Sequence, residues 1–323
     1  MNKIVMNKIV LLLSMLILSA ASLFIGVSDV GITDIFHLSG EQKEILLISR
    51  LPRLLSIVAA GAGLSIAGLI MQQLSRNKFV SPTTAGTMDF AKLGILIALL
   101  VFSRSGPFLK MAVAFLFALL GTYLFMKIVD NIKFKDPVFI PLVGLMLGNI
   151  VSSISTFFAY RYDLIQNISS WLIGDFSNVI KGRYELIFIS VPLVMLAYLY
   201  ANRFTIAGMG EDFSKNLGLN YKNVVRLGLV IVAFITSSVI ITVGVIPFLG
   251  LIVPNIVSIY RGDHLQRSLP ETALFGSVFL LACDILGRLI IYPYEIPIHL
   301  TVGVIGSGIF IYLLLRSKRN EAA

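Results

Sequence analysis

Apolar residues come in long blocks along this chain rather than in alternation. Blocks of roughly 20, long enough to cross hydrocarbon as helices, recur from end to end with short polar breaks between them. They fall at about residues 9–25, 51–74, up to 102, 111–129, 138–160, 184–200, 224–245, 248–260, 272–291 and 298–315. The pattern predicts an all-α polytopic membrane protein of about ten transmembrane helices. In the second block Ala59, Ala60, Gly61, Gly63 and Gly68 let neighbouring backbones approach, which places that helix inside the bundle. Pro247, Gly250 and Pro254 break the eighth block, so that span is expected to be short or kinked. The polar stretch 161–183 carries Trp171, a residue suited to the membrane–water boundary.

Composition agrees. Charged residues make up 13% of the chain and apolar ones 57%, with a mean hydropathy of +0.91, whereas a soluble domain is about a quarter charged. The net charge of +9 is therefore a topology signal and points to no nucleic acid. Ten spans put both termini on one side. That side holds 16 of the 26 Lys and Arg residues and the other holds 9, with Lys92 between them. The positive-inside bias makes the richer side cytoplasmic. The repeat of Met-Asn-Lys-Ile-Val at 1–5 and 6–10 reads as an alternative start or a leftover of cloning. Ser19–Ser22 only faintly resembles a cleavage site, so the first block is read as a retained anchor.

Chemistry is sparse. Cys283 is the one cysteine, which excludes an internal disulfide or a cysteine-based metal cluster. His37, His264 and His299 lie in separate segments, and neither a G-x-x-x-x-G-K-[ST] nor an H-E-x-x-H motif occurs. No enzyme, cofactor or metal is expected, and any ATP site belongs to another chain.

The most polar interruption of the second half, Gly208 to Asn220, has a pattern of its own. Glu211 to Leu217 reads as a short helix with Phe213 and Leu217 one turn apart. Glu211 and Asp212 sit at its start and Lys215 near its end, as the helix dipole favours, and Gly218 stops it. It is either a solvated loop or a knob that docks into a soluble protein. In the fifth block Gly144, Gly148, Asn149, Ser152 and Ser153 form one small, polar flank, which must face protein or water rather than lipid. Asp89 and Lys92, three apart, are expected to pair near the cytoplasmic end of a span; Asp284 and Arg288, four apart, share a helical face.

Several blocks in order resemble the permeases of iron-siderophore and cobalamin ABC importers. The first comprises Arg50-Leu-Pro-Arg53, Gly61 to Gly68, Gln72, Arg76-Asn77, Pro82 and Gly86. The second comprises Glu211 to Gly218, Gly244 to Pro254, Gly262-Asp-His264, Leu269-Pro270, Ala282-Cys-Asp284, Arg288, Glu295-Ile-Pro297, and Gly303, Gly306 and Phe310. Asn255 stands where that family usually has histidine, Ser258 where arginine is common and Gly308 where proline is usual; Asp89 and Lys92 replace small residues. The resemblance implies a type II ABC importer permease fold, one transmembrane domain over 1–323, closest to siderophore permeases of the catecholate type. It implies a second permease subunit (an identical copy or a paralogue), two cytosolic ATPases and an extracytoplasmic binding protein, with a ferric siderophore as cargo. Cobalamin or haem is the alternative cargo. It also implies that Arg50, Arg53 and Arg288 dock the binding protein, that Glu211, Asp212, Phe213, Leu217 and Gly218 couple to the ATPase, and that the fifth-span flank lines the pathway. An ion-coupled secondary transporter would place ionisable groups at mid-membrane beside an inverted repeat, and no such repeat is evident.

Overall fold

A computed structural model describes residues 7–26, 39–131 and 139–321. The repeated start, His37 and most of the linker after Asp130 lie outside them. The described residues form fourteen helices in chain order: α1 (Lys8–Phe24), α2 (Gly40–Ile45), α3 (Leu51–Leu74), α4 (Thr87–Val101), α5 (Pro107–Asn131), α6 (Phe139–Arg161), α7 (Ile165–Leu172), α8 (Ser190–Leu199), α9 (Ala201–Gly208), α10 (Glu211–Asn216), α11 (Tyr221–Val243), α12 (Leu249–Arg261), α13 (Leu265–Leu289) and α14 (Ile298–Glu321). The one β feature among them is an isolated parallel bridge between Ile173 and Val245.

Each expected span coincides with a helical segment. Six helices are long and apolar enough to cross a membrane alone, and a bent pair makes up to seven. A count of ten also requires the shorter helices α1, α4 and α12.

α3 and α11 stand at the centre, and the small residues of α3 explain why. A Cβ at Gly61 would lie 2.7 Å from the Cα of Ser277 on α13, and one at Gly68 would lie 1.8 Å from the carbonyl oxygen of Gly250. Only glycine permits these two crossings, at which interhelical van der Waals contact is made backbone to backbone. Around them pack Ile66, Ile70, Met71, Phe204 and Ile231 toward one end, and Ile57, Leu64, Val239, Leu249 and Leu280 toward the other. α5, α6 and α14 keep wide apolar faces outward, among them Leu116, Leu145, Phe157 and Ile311.

Four segments depart from the sequence reading. α3 continues backwards: residues 40–74 form one run of 35 through a π-helical turn at Leu46–Arg50, started by a capping box between Ser39 and Gln42. The block at 184–200 is not one straight span. A 3₁₀ turn at Glu185–Ile189 leads into α8, and the chain bends by 65° at Tyr200 into α9. Phe204 and Ala207 of α9 are buried in the core, and the guanidinium of Arg203 sits 4.8 Å from the Tyr200 ring centroid; tertiary packing of a new amphipathic face overrides the continuous apolar run.

The polar turn after α3 does not lie at the surface. Val80 and Pro82 are buried, Pro82 packs on Gly250, and the amide of Gln72 donates to the carbonyls of Val80 and Leu251. α4 therefore starts deep, with Gly86 beside Gly144 and Gly148 of α6. Finally, Gly244 to Pro247 is extended and returns through Phe248, at φ +62°, before α12 begins; here the expected shortening takes the form of a non-helical lead-in.

Candidate functional site

The knob forms as its sequence predicts. α10 runs from Glu211 to Asn216, within a residue of expectation, and Leu217 caps it. The amide of Gly218 (φ +72°) donates to the carbonyl of Lys215 and that of Leu219 to Ser214, both at 2.9 Å, which is a Schellman closure. Ser214 is buried and anchors the helix through Ile206 and Gly210. Glu211 pairs with Lys215 at 2.8 Å. That bond is the main reason why the Lys215 ammonium is held above its ordinary value. Asp212, Phe213 and Leu217 project outward, the last two 48% and 57% exposed: two apolar side chains offered from a rigid polar surface. A cleft of about 500 Å³, lined by Arg203, Leu217, Leu219, Asn220 and Asn223 among others, opens beside them.

At the opposite end the three arginines come together, but they face inward. Arg53 bonds the carboxylates of Asp284 (2.8 Å) and Glu295 (2.7 Å). Arg288 bonds the other oxygen of Asp284 and donates to the carbonyls of Ser22 (3.0 Å) and Ile25 (2.8 Å) and to the Ser22 hydroxyl (2.6 Å). Arg50 donates to the carbonyl of Leu23. Arg50 and Arg288 are 7% and 5% exposed. The carbonyls at the end of α1 have no partner within their own helix, and two guanidiniums supply it. Cations at a helix C-terminus are also favoured by its dipole. The cluster thereby ties α1 to α3 and α13; its half-buried edge is Arg53 and Glu295.

The flank of α6 divides in two. Gly144 and Gly148 are buried against the Gly86 turn and the Asp89 side chain, while Asn149, Ser153 and part of Ser152 face an open groove. That groove, about 610 Å³, is also lined by Thr156, Phe157, Tyr160 and Ile165. Asp89 and Lys92 belong here and not near the cytoplasmic end of a span, because α4 starts deep. The ammonium of Lys92 donates to Ser152 (3.1 Å) and Thr156 (2.8 Å), and the Ser152 hydroxyl also bonds the Asp89 carboxylate. Ser152 lies ~20 Å along α6 from Phe139, at 1.5 Å per residue. A charge at such depth costs on the order of 2.5–3.5 kcal/mol on insertion scales, and the hydroxyl row offsets part of that. Thr156 was missed in the sequence although it sits one turn beyond Ser152 on the same face.

A fourth cluster collects two of the departures. Lys78 bonds Ser258 (3.0 Å) and Asp263 (3.1 Å), Ser258 bonds Asp263 (2.5 Å), and the Asn255 amide donates to the Lys78 carbonyl (2.7 Å). It pins the α3–α4 turn to the α12–α13 turn. Burial pushes the Asp263 carboxyl up, but the Ser258 and Lys78 bonds outweigh it and hold the group below its ordinary 3.8.

A family model described as the FecCD transport family matches residues 12–316. The petrobactin import system permease protein YclN of Bacillus subtilis is 68% identical over 295 residues, 91% of this chain and 93% of that protein. The ferric-anguibactin transport system permease protein FatD of Vibrio anguillarum is 40% identical over 274 residues, 85% and 87% of the two chains. Among solved structures, an inward-facing conformation of a metal-chelate type ABC transporter superposes with a TM-score of 0.85 at 23% identity, covering 95% of this chain and 97% of the other; at that identity the likeness concerns the fold.

Proposed function

This chain belongs to the FecCD transport family, and from that premise we propose that it is the multi-pass permease subunit of an ABC importer carrying a ferric siderophore, of the petrobactin type, into the cytoplasm. The observation that carries the cargo is the 68% identity to a petrobactin permease over nine-tenths of both chains. The whole chain acts as one transmembrane unit, and ATP is hydrolysed on separate subunits. The excess of Lys and Arg on the side of α10 supports cytoplasmic termini and a cytoplasmic knob. Phe213 and Leu217 then present an apolar anchor to the ATPase, on a helix whose closed ends transmit displacement rather than fray.

The exposed polar side chains of α6 support a pathway on that face. In lipid they would be unsatisfied, so a second permease subunit covers the groove and leaves it wet. On the outer side the binding protein meets the edge formed by Arg53 and Glu295. Arg50 and Arg288 hold that edge in shape from beneath, since using them directly would strip the end of α1 of its partners. The test is replacement: Bacillus subtilis lacking YclN, given this chain, should regain growth on ferric petrobactin as sole iron source. Restored growth on ferric citrate or a ferric hydroxamate but not on petrobactin would move the cargo to another chelate; no growth on any would refute the reading.

A further inference from the structure

Resting on the pathway reading of α6, we propose that Lys92 is an anion-selecting contact of the translocation route. Its ammonium is presented through the hydroxyls of Ser152 and Thr156 to an anionic ferric chelate in the groove. Four observations carry it. The groove has the size of a small-molecule site, about 610 Å³, and contains no carboxylate among its seven lining residues. Its floor is a row of side chains suited to an oxygen-rich guest: Asn149, Ser152, Ser153 and Thr156. The hydroxyl proton of Thr156 is already committed to the Ser152 carbonyl, so this hydroxyl meets Lys92 as an acceptor, and an ammonium with three donors keeps one more for a guest. Asp89 does not cancel this arrangement by position. It sits in the first turn of α4, where the helix dipole favours a carboxylate, and packs against Gly148, one turn of α6 below Ser152. The positive end of the pair is thus the end nearer the groove. A charge held at this depth marks a functional position by default, and a bulky anion otherwise has little in the bundle to offset its desolvation.

The experiment reads charge in the groove directly. The complete transporter, with its ATPase and binding protein, is placed in nanodiscs of zwitterionic lipid, so that no anionic headgroup competes for the lysine. It carries Ser153→Cys in a Cys283→Ala background. The rates of modification by an anionic (sulfonatoethyl) and a cationic (trimethylammonioethyl) methanethiosulfonate are compared. Lys92→Met should lower the anionic-to-cationic rate ratio by about fivefold or more, as removal of one nearby charge in a wet, intermediate dielectric implies, and Lys92→Arg should preserve it. Uptake of ferric petrobactin should fall about tenfold in Lys92→Met and much less in Lys92→Arg. A ratio unchanged by Lys92→Met overturns the proposal. If that variant fails to assemble, Asp89→Asn/Lys92→Met, which removes both charges, must show the same fall, and an unchanged ratio there overturns it equally. A ratio that falls as stated in a transporter that takes up no ferric chelate at all leaves the Lys92 site standing and refutes the siderophore reading instead.

Discussion

Asp284→Asn should destabilise the protein strongly, because it removes the one acceptor that two buried arginines share. Asn keeps the shape of the side chain, so no cavity contributes. The change strikes Arg288 harder than Arg53, since Arg53 retains Glu295 at 2.7 Å. Arg288, 5% exposed, would hold its full charge against neutral groups alone: Ser22 and the Ile25 carbonyl. Removing one partner of a buried ion pair costs about 3–5 kcal/mol, which for a chain of this size corresponds to a melting temperature lower by about 5–10 °C. Cys283 provides the assay. It is the only thiol and is 2% exposed, so a thiol-reactive fluorophore reports unfolding in detergent without an added label. The arginines need not be charged for stability alone: Asp284→Leu/Arg288→Met should recover most of the loss, as apolar replacements of buried pairs commonly do. A melting temperature for Asp284→Asn within about 1 °C of the parent would refute this account of the cluster.

Gly218→Val meets no neighbour within 4 Å, so its effect is confined to forcing a β-branched residue to φ +72°; a strain of about 1–2 kcal/mol should reshape the knob and lower transport severalfold while ATP hydrolysis continues, measured side by side on the reconstituted complex. For Asp263 the sign follows from its lowered pKa: its contribution is complete above the ordinary 3.8 and is lost as pH falls through the lower folded value. Asp263→Asn should therefore lower the melting temperature near pH 7 and make no difference near pH 3, and a loss of equal size at both would show that charge is not involved. Cysteine at Asn149 should react with water-soluble thiol reagents at a rate that changes with nucleotide state, as alternating access requires; labelling absent in every state would remove α6 from the pathway.

The helices were legible in the sequence wherever one face or one length decides the matter. Gly61 and Gly68 announce an interior α3 because few causes put so many small residues in an apolar run. The knob was legible to within a residue because its acids, its lysine and Gly218 each act locally. The bend at Tyr200 was not, since Tyr184 to Gly208 is apolar enough to be read as a plain span, and only contacts with α3 and α11 turn it. Burial of the turn at Val80 and Pro82 was equally hidden, because its polar composition is what a surface loop also has. That one error displaced Asp89 and Lys92 from the middle of α6 to the membrane edge. The arginine cluster was half legible: Asp284 and Arg288 share a face by spacing, but the carbonyls of Ser22, Leu23 and Ile25 carry no signal in side-chain identity.

The central claim is ATP-driven movement of a ferric chelate through this chain. The direct measurement is uptake of radiolabelled ferric petrobactin into proteoliposomes holding this permease with its ATPase, the binding protein outside and ATP inside. The account predicts accumulation that requires both ATP and the binding protein, persists when proton and sodium gradients are collapsed, and is lost in Gly218→Val. Accumulation that follows an ion gradient and proceeds without ATP would contradict it.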